Sequence, residues 1–149
     1  MEVPKIIPEN INLFHLNIVE SNITDTLQKK DLRYKINIAH TTMHNLKEEK
    51  VKIGLLIDIQ GEDKENDHEA KAHFNIDFHF QIKDLINLYK LEESKNPIFS
   101  GLFISTLLGI SYSTARGLIY ERLSNTNLYG IVLPVVSPSK ILESRVKIN

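Results

Sequence analysis

Residues 72–82 read AHFNIDFHFQI, with Ala72, Phe74, Ile76, Phe78, Phe80 and Ile82 alternating against His73, Asn75, Asp77, His79 and Gln81. Successive side chains of a strand point to opposite faces, so this unbroken alternation predicts an antiparallel strand with one face buried. The pattern extends outward along the chain. In 51–59, Val51, Ile53, Leu55, Ile57 and Ile59 share a face against Lys52, Gly54, Leu56 and Asp58. In 32–38, Leu32, Tyr34, Ile36 and Ile38 oppose Arg33, Lys35 and Asn37. Residues 13–19 form a weaker strand in which Phe14, Leu16 and Ile18 are expected to face inward, although Leu13 and Val19 are apolar too.

The links agree with four strands in one antiparallel sheet. Residues 61–69 are too polar to bury and suit an exposed hairpin loop, and 41–50 read as a similar polar link. Residues 21–31 still carry Ile23 and Leu27, which suits a crossover better than a tight turn.

Beyond residue 82 the period changes. Residues 83–93 fit either a continued strand or a short helical turn. After Pro97, apolar residues recur at three and four, which predicts a helix of about 20–25 residues from Ile98 to Leu123, with the proline near its start. Gly101, Ser105, Gly109, Ser113 and Gly117 fall every fourth position along it, a row of small residues that lets another backbone approach closely. Residues 96–115 hold no charge, yet serines, threonines and glycines dilute them, so a core helix or subunit interface is expected rather than a membrane span. Residues 128–136 look strand-like, and Ser137 or Ser139 is placed to cap a short last helix over 140–144. The expected class is α+β: a four-stranded antiparallel sheet packed with one long helix and a short C-terminal helix.

Composition narrows the chemistry. With 149 residues, the whole of 1–149 is expected to be a single domain. Eighteen Lys and Arg against nineteen Asp and Glu leave a net charge of −1, without the basic excess that nucleic acid or an anionic membrane requires. The chain has no cysteine, which removes disulfides, thiol catalysis and cysteine-ligated metals. The first residues show no basic region leading into an apolar run, so no signal peptide is expected and the location is read as cytoplasmic. No nucleophile elbow or glycine-rich phosphate loop is present, and the paired carboxylates Glu48-Glu49, Glu62-Asp63 and Glu92-Glu93 lie in solvated runs. No catalytic residue and no cofactor are therefore assigned. Six histidines raise the question of a metal, since His73, Asp77 and His79 share one strand face and Asp77 and His79 can reach one ion. A site needs further ligands from another element, so no metal is assigned. What is left is apolar surface: the long helix is apolar nearly all round from Ile98 to Ile110, which implies contacts on more than one side.

The C-terminal half carries a resemblance. Tyr112-Ser113-Thr114-Ala115-Arg116-Gly117, followed by Leu133-Pro134-Val135-Val136-Ser137-Pro138-Ser139-Lys140-Ile141-Leu142, resembles the SecB and SecB-like chaperones: a helix with an aromatic and an Ala-Arg pair, then a Leu-Pro exit. Phe14-His15-Leu16-Asn17-Ile18 is similar to the opening strand of that family. The resemblance implies a holdase that binds unfolded polypeptide without nucleotide, and a homotetramer in which long helices pack between sheets. With the net charge and the diluted apolar run already described, no nucleic-acid partner and no stable membrane insertion are expected. Client contacts carried over from the family's crossover region fall on Val19, Ile23 and Leu27, with Tyr120 and Leu123 added. Export chaperones of this kind are strongly acidic and use a C-terminal tail in docking. This chain is near neutral and ends in the short basic 144–149, so holding clients is expected rather than delivery to an export motor. A relative dedicated to one client, such as an antitoxin, fits equally well.

Overall fold

The strand at 72–82 is the centre of the molecule. In a computed structural model that describes residues 4–25, 33–62, 70–126 and 128–144, Phe74, Ile76, Phe78, Phe80 and Ile82 are completely shielded from solvent. Their strand, β4 (Ala70–Ile82), lies between β1 (Ile11–Asp25) and β3 (Lys50–Glu62), and β2 (Arg33–Asn45) flanks β3. The order β1-β4-β3-β2 is antiparallel throughout, a Greek key. Register follows the apolar pattern: Phe78 stands across from Ile53 on one side and Leu16 on the other, and Ile76 from Leu55 and Ile18. The chain passes from β1 at one edge to β2 at the other. The expected crossover is thus real in topology, but β1 continues through Asp25 and only 26–32, outside the described residues, make the link.

Strand β1 corrects the alternation expected of it. The pairing slips at two points, between Leu13 and His15 and between Ile18 and Glu20, so Phe14 and Val19 are extra residues with no opposite number on β4. A bulge of this kind re-phases every residue after it. Ile11 and Leu13 pack on the core, then Leu16 and Ile18, then Ile23, while Phe14, expected inside, is 47% exposed and Val19 53% exposed. The strand keeps its apolar residues inward only by taking the extra residue each time.

Other boundaries move as well. β2 runs through Asn45, so Thr41 to Asn45, expected in a link, are in the strand; the connection to β3 is only four residues, with Glu49 at φ 55. After β4 the chain makes one 3-10 turn, Leu85–Leu88, and then a small hairpin of β5 (Tyr89–Leu91) and β6 (Pro97–Phe99). Pro97 therefore opens β6 rather than the helix. Helix α1 (Gly101–Leu123) starts at Ser100, whose Oγ accepts from the Phe103 N–H at 3.4 Å. Its side chains Phe103, Leu107, Leu108, Ala115, Ile119 and Leu123 are fully buried over the sheet. Each buried Leu or Ile of this kind contributes about 1.5–3 kcal/mol relative to an exposed one. The row of small residues on the helix lies largely open, with Gly109 approached by Pro138 and nothing near Gly101 or Gly117.

Residues 128–136 contain no strand. Gly130 turns the chain at φ 83, and the following carbonyls are claimed by the helix instead of by a sheet. Tyr112 Oη donates to the Pro134 carbonyl at 2.5 Å and Arg116 Nε to the Leu133 carbonyl at 3.0 Å, with Leu133 buried beneath. Pro134 has no N–H to offer a ladder. Helix α2 (Pro138–Glu143) follows with Ser137 in the cap position, although the Ser137 hydroxyl meets Ser139 at 2.7 Å rather than the helix backbone.

Candidate polypeptide-binding surface

Two sheet edges differ in what they offer. β1 is broken by its two bulges, a shape that resists addition of a further strand. β2 has a regular ladder to β3 and no strand on its other side among the described residues. Midway along it, the His40 N–H donates to the Ser144 carbonyl at 3.4 Å, a long bond that seats the end of α2 against the edge.

Beside this edge the structure forms a cleft of about 270 Å³. His40, Thr42 and His44 of β2 make one wall, Pro97, Ile98 and Phe99 of β6 another, with Ile104 of α1 and Leu142 of α2 closing it. Alternation on β2 explains the wall, because those three residues continue the face of the strand that carries Tyr34, Ile36 and Ile38, opposite Leu55, Ile53 and Val51 of β3. Aromatic contacts fix the other side: Phe99 lies 5.5 Å from His44, 5.8 Å from Tyr89 and 6.0 Å from Phe103, centroid to centroid. Ile98 is 54% exposed at the rim, and Leu91 and Ile86 are exposed nearby. The Thr42 hydroxyl is sealed from solvent and has no hydrogen-bond partner, a condition that costs about 1–3 kcal/mol until a donor or acceptor arrives. An extended apolar segment suits this place. Its backbone would find the β2 edge to either side of the His40–Ser144 bond and its side chains the cleft.

The outward flank of α1 is the second apolar surface. Leu102, Ser105, Thr106, Gly109, Ile110, Ser113 and Thr114 border a shallow depression closed at one side by Ser137, Pro138 and Ser139. Thr106 and Thr114 turn their hydroxyls back to the carbonyls of Leu102 and Ile110, each at 2.8 Å, so the flank presents methyls. The helix is long and apolar enough to cross a membrane by length and composition, and 44% of its most apolar window is buried here.

The residues that sequence reasoning named are scattered. Val19 and Tyr120 are exposed, on the β1 bulge and on α1. Ile23 packs against the core from the end of β1, and Leu27 lies outside the described residues. Leu123 is a correction: it is fully buried at the C-terminal end of α1 and supports the sheet rather than a client. The β2 cleft was missed because Thr42 and His44 read as a polar link. The signal was the alternation of Tyr34, Ile36 and Ile38, which continues in phase into His40, Thr42 and His44.

The outer sheet face, where a metal was weighed, is a polar lattice. His73 Nδ1 meets Asp58 Oδ1 at 2.5 Å while its Nε2 lies 3.5 Å from Glu20, and Lys52 lies 3.6 Å from Asp77. Among the described residues, no three His, Asp or Glu side chains converge on one point that would hold an ion. Burial pushes the His79 imidazole below its ordinary pKa, helped by His15, Lys52 and Lys50 and opposed by Asp77.

With this geometry in view, comparison with solved structures gives the fold class. The chain superposes on a SecB-like chaperone of Mycobacterium tuberculosis, solved with a ChAD peptide of the HigA1 antitoxin, with a TM-score of 0.62 and 12% identity, covering 87% of this chain and 91% of that one. The fold is that of the SecB-like chaperones, as the Tyr112 to Arg116 and Leu133-Pro134 pattern implied. A protein of unknown function from Streptococcus agalactiae matches at a TM-score of 0.46 and 10% identity over 84% of this chain and 97% of that one. No family model and no curated protein matches.

Proposed function

We propose that this chain is a SecB-like holdase that binds extended apolar segments of non-native polypeptides along the β2 edge and its cleft. The observation that carries the reading is the β2 edge, which pairs with no further strand among the described residues, beside a cleft lined by β2, β6 and α1, on a fold shared with a chaperone solved with a bound peptide. Binding needs apolar contact and backbone hydrogen bonds, so neither nucleotide nor bond making enters the reading. The working form is a tetramer in the cytoplasm, assembled through the methyl-lined flank of α1, with Val19 and Tyr120 as further client contacts. At a net charge of −1 the chain lacks the acidic field for docking an export motor, which favours holding over delivery.

The test is dilution of a chemically unfolded client into buffer containing the protein but no nucleotide, followed by light scattering. Suppression of aggregation in wild type, weakened in Ile98→Asp with the fold intact by circular dichroism, is the expected result. Full suppression by Ile98→Asp would move the site away from the cleft. A second reading, a subunit dedicated to one partner, is favoured by the antitoxin peptide in the mycobacterial neighbour. Under it a generic client aggregates unhindered while a single cognate peptide binds.

A further inference from the structure

The cleft beside β2 has one wall unlike the others. β2 is laddered to β3 and α1 is packed on the core, whereas no side chain of the hairpin 89–99 is buried. Among the described residues its backbone hydrogen bonds close on the hairpin itself. They are the β5–β6 pairs, Glu92 N–H to the Asn96 carbonyl at 3.0 Å and, across the base, Ser100 N–H to the Leu88 carbonyl at 2.8 Å. The Phe99 ring rests edge-on against His44 of β2. The root below is firm by contrast: Leu85 and Leu88 are buried, and the Leu85 N–H donates to the Glu49 carboxylate at 3.0 Å. Among the described residues the non-glycine residues with positive φ are Glu49 at 55, Asp84 at 59 and Lys95 at 63, which hold the root, lead into it and form the hairpin tip. Residues with a Cβ populate that region sparsely, and such outliers gather where structure binds or moves.

We propose, on the reading of the cleft as a polypeptide site, that 89–99 is a flap, closed in this structure, which pivots at its Leu88–Ser100 base to admit the client. Size is one reason. The cleft holds about 270 Å³, less than the roughly 300–1,000 Å³ of pockets that take a drug-sized ligand, so several residues of a chain enter only if a wall withdraws. The Thr42 hydroxyl is another. Behind the closed flap it is sealed from solvent and has no hydrogen-bond partner among the described residues. Withdrawal lets water or a client backbone reach it, which offsets part of the cost of parting Phe99 from His44. The pivot lies between fixed points. Ile104 N–H to the Ser100 carbonyl at 3.1 Å holds the start of α1, and Lys83 N–H to the Asn10 carbonyl at 2.9 Å holds the end of β4. A few residues at element ends are enough to absorb such a swing.

The chain has no cysteine, so the nearly isosteric Thr42→Cys places a single thiol behind the flap. The experiment follows its reaction with an aromatic disulfide reagent in the full chain. Labelling should be at least about tenfold slower than in Val135→Cys, whose position is 85% exposed, yet faster than global unfolding allows. Glu49 lines no part of the cleft, so Glu49→Ala acts only through the root and should speed labelling about tenfold. Glu49→Gln keeps an acceptor and should speed it about threefold. Glu48→Ala, whose carboxylate pairs with Lys50 at 3.2 Å, should leave it unchanged. A fluorescent, reduced and carboxymethylated polypeptide that stays unfolded in buffer should associate faster with Glu49→Ala by the same factor as the labelling. Labelling as fast as in Val135→Cys, labelling only at the global unfolding rate, or no response to Glu49→Ala overturns the proposal. Faster labelling with unchanged association also overturns it, since the hairpin then moves without admitting anything. If the polypeptide binds neither wild type nor Glu49→Ala, the reading of the cleft falls and admission with it, while the labelling still decides whether the hairpin opens.

Discussion

Tyr112 and Arg116 show how side chains can define an exit from a helix. Both reach across to consecutive carbonyls, those of Pro134 and Leu133, and hold down a segment that has no secondary structure of its own. Tyr112→Phe removes one nearly buried hydrogen bond, and a loss of about 0.5–1.5 kcal/mol in denaturant unfolding is expected. Burial raises the Tyr112 phenol above its ordinary pKa of 10.0, against the pull of Arg116. A group whose folded pKa is raised contributes stability that is present below the unfolded value and lost as pH rises through the folded one. Alkaline titration beyond about pH 10 should therefore destabilise wild type, and Tyr112→Phe should flatten that limb. Gly54 is a second residue with a definite reason. A Cβ there would sit 2.5 Å from the Thr41 Oγ1 and 3.2 Å from Asp77. Gly54→Ala should cost about 1–3 kcal/mol, and pairing it with Thr41→Ala should recover part of that loss in a double-mutant cycle. The sequence showed Tyr112, Ala115 and Arg116 as a pattern but not as a clamp, because the carbonyls they bind carry no side-chain signature.

At the scale of elements, β3 and β4 were legible because a strict period of two survives along their whole length, and α1 because its apolar residues recur at three and four. β1 was legible as a strand but not in its phase. Each bulge inserts one residue, and nothing in Phe14 or Val19 distinguishes an extra residue from an inward one. The supposed strand at 128–136 failed for a converse reason: its β-prone residues are present, but Pro134 and the turn at Gly130 leave no edge to join. The candidate site suffered most, since a polar run at 41–45 conceals the inner wall of a cleft. A pair of substitutions separates core from surface among the contacts first named. Leu123→Asp should abolish cooperative thermal unfolding, whereas Val19→Asp should shift stability by no more than about 0.5 kcal/mol. Thermal melts followed by circular dichroism distinguish them.

For the molecule as a whole, the sheet buries one face under α1 and leaves the other to a lattice of histidines, carboxylates and lysines. The outward flank of α1, with its small residues and turned-back threonines, is the surface through which assembly is proposed. Light scattering at micromolar concentration should return a tetramer of the 17.1 kDa chain for wild type and a smaller species for Ser105→Arg. The same variant should keep its secondary structure, because Ser105 faces outward and holds nothing in place. Should Ser105→Arg scatter like wild type, the subunits meet elsewhere.

The two slips in β1 also bear on how relatives of this chain are found. A bulge adds a residue to one strand and leaves its partner's numbering untouched, so two proteins with the same sheet need not have the same number of residues in it. Aligned without gaps, a homologue lacking one of the extra residues would lose phase at that position, setting inward positions against outward ones for the rest of the strand, and a homologue lacking both would be out of phase between Phe14 and Val19 and two residues out of register beyond. Substitution scores would then penalise residues that occupy equivalent places in space. Pairwise alignment of this strand should allow a one-residue gap at each of the two positions, where a change in chain length leaves the paired strand in register.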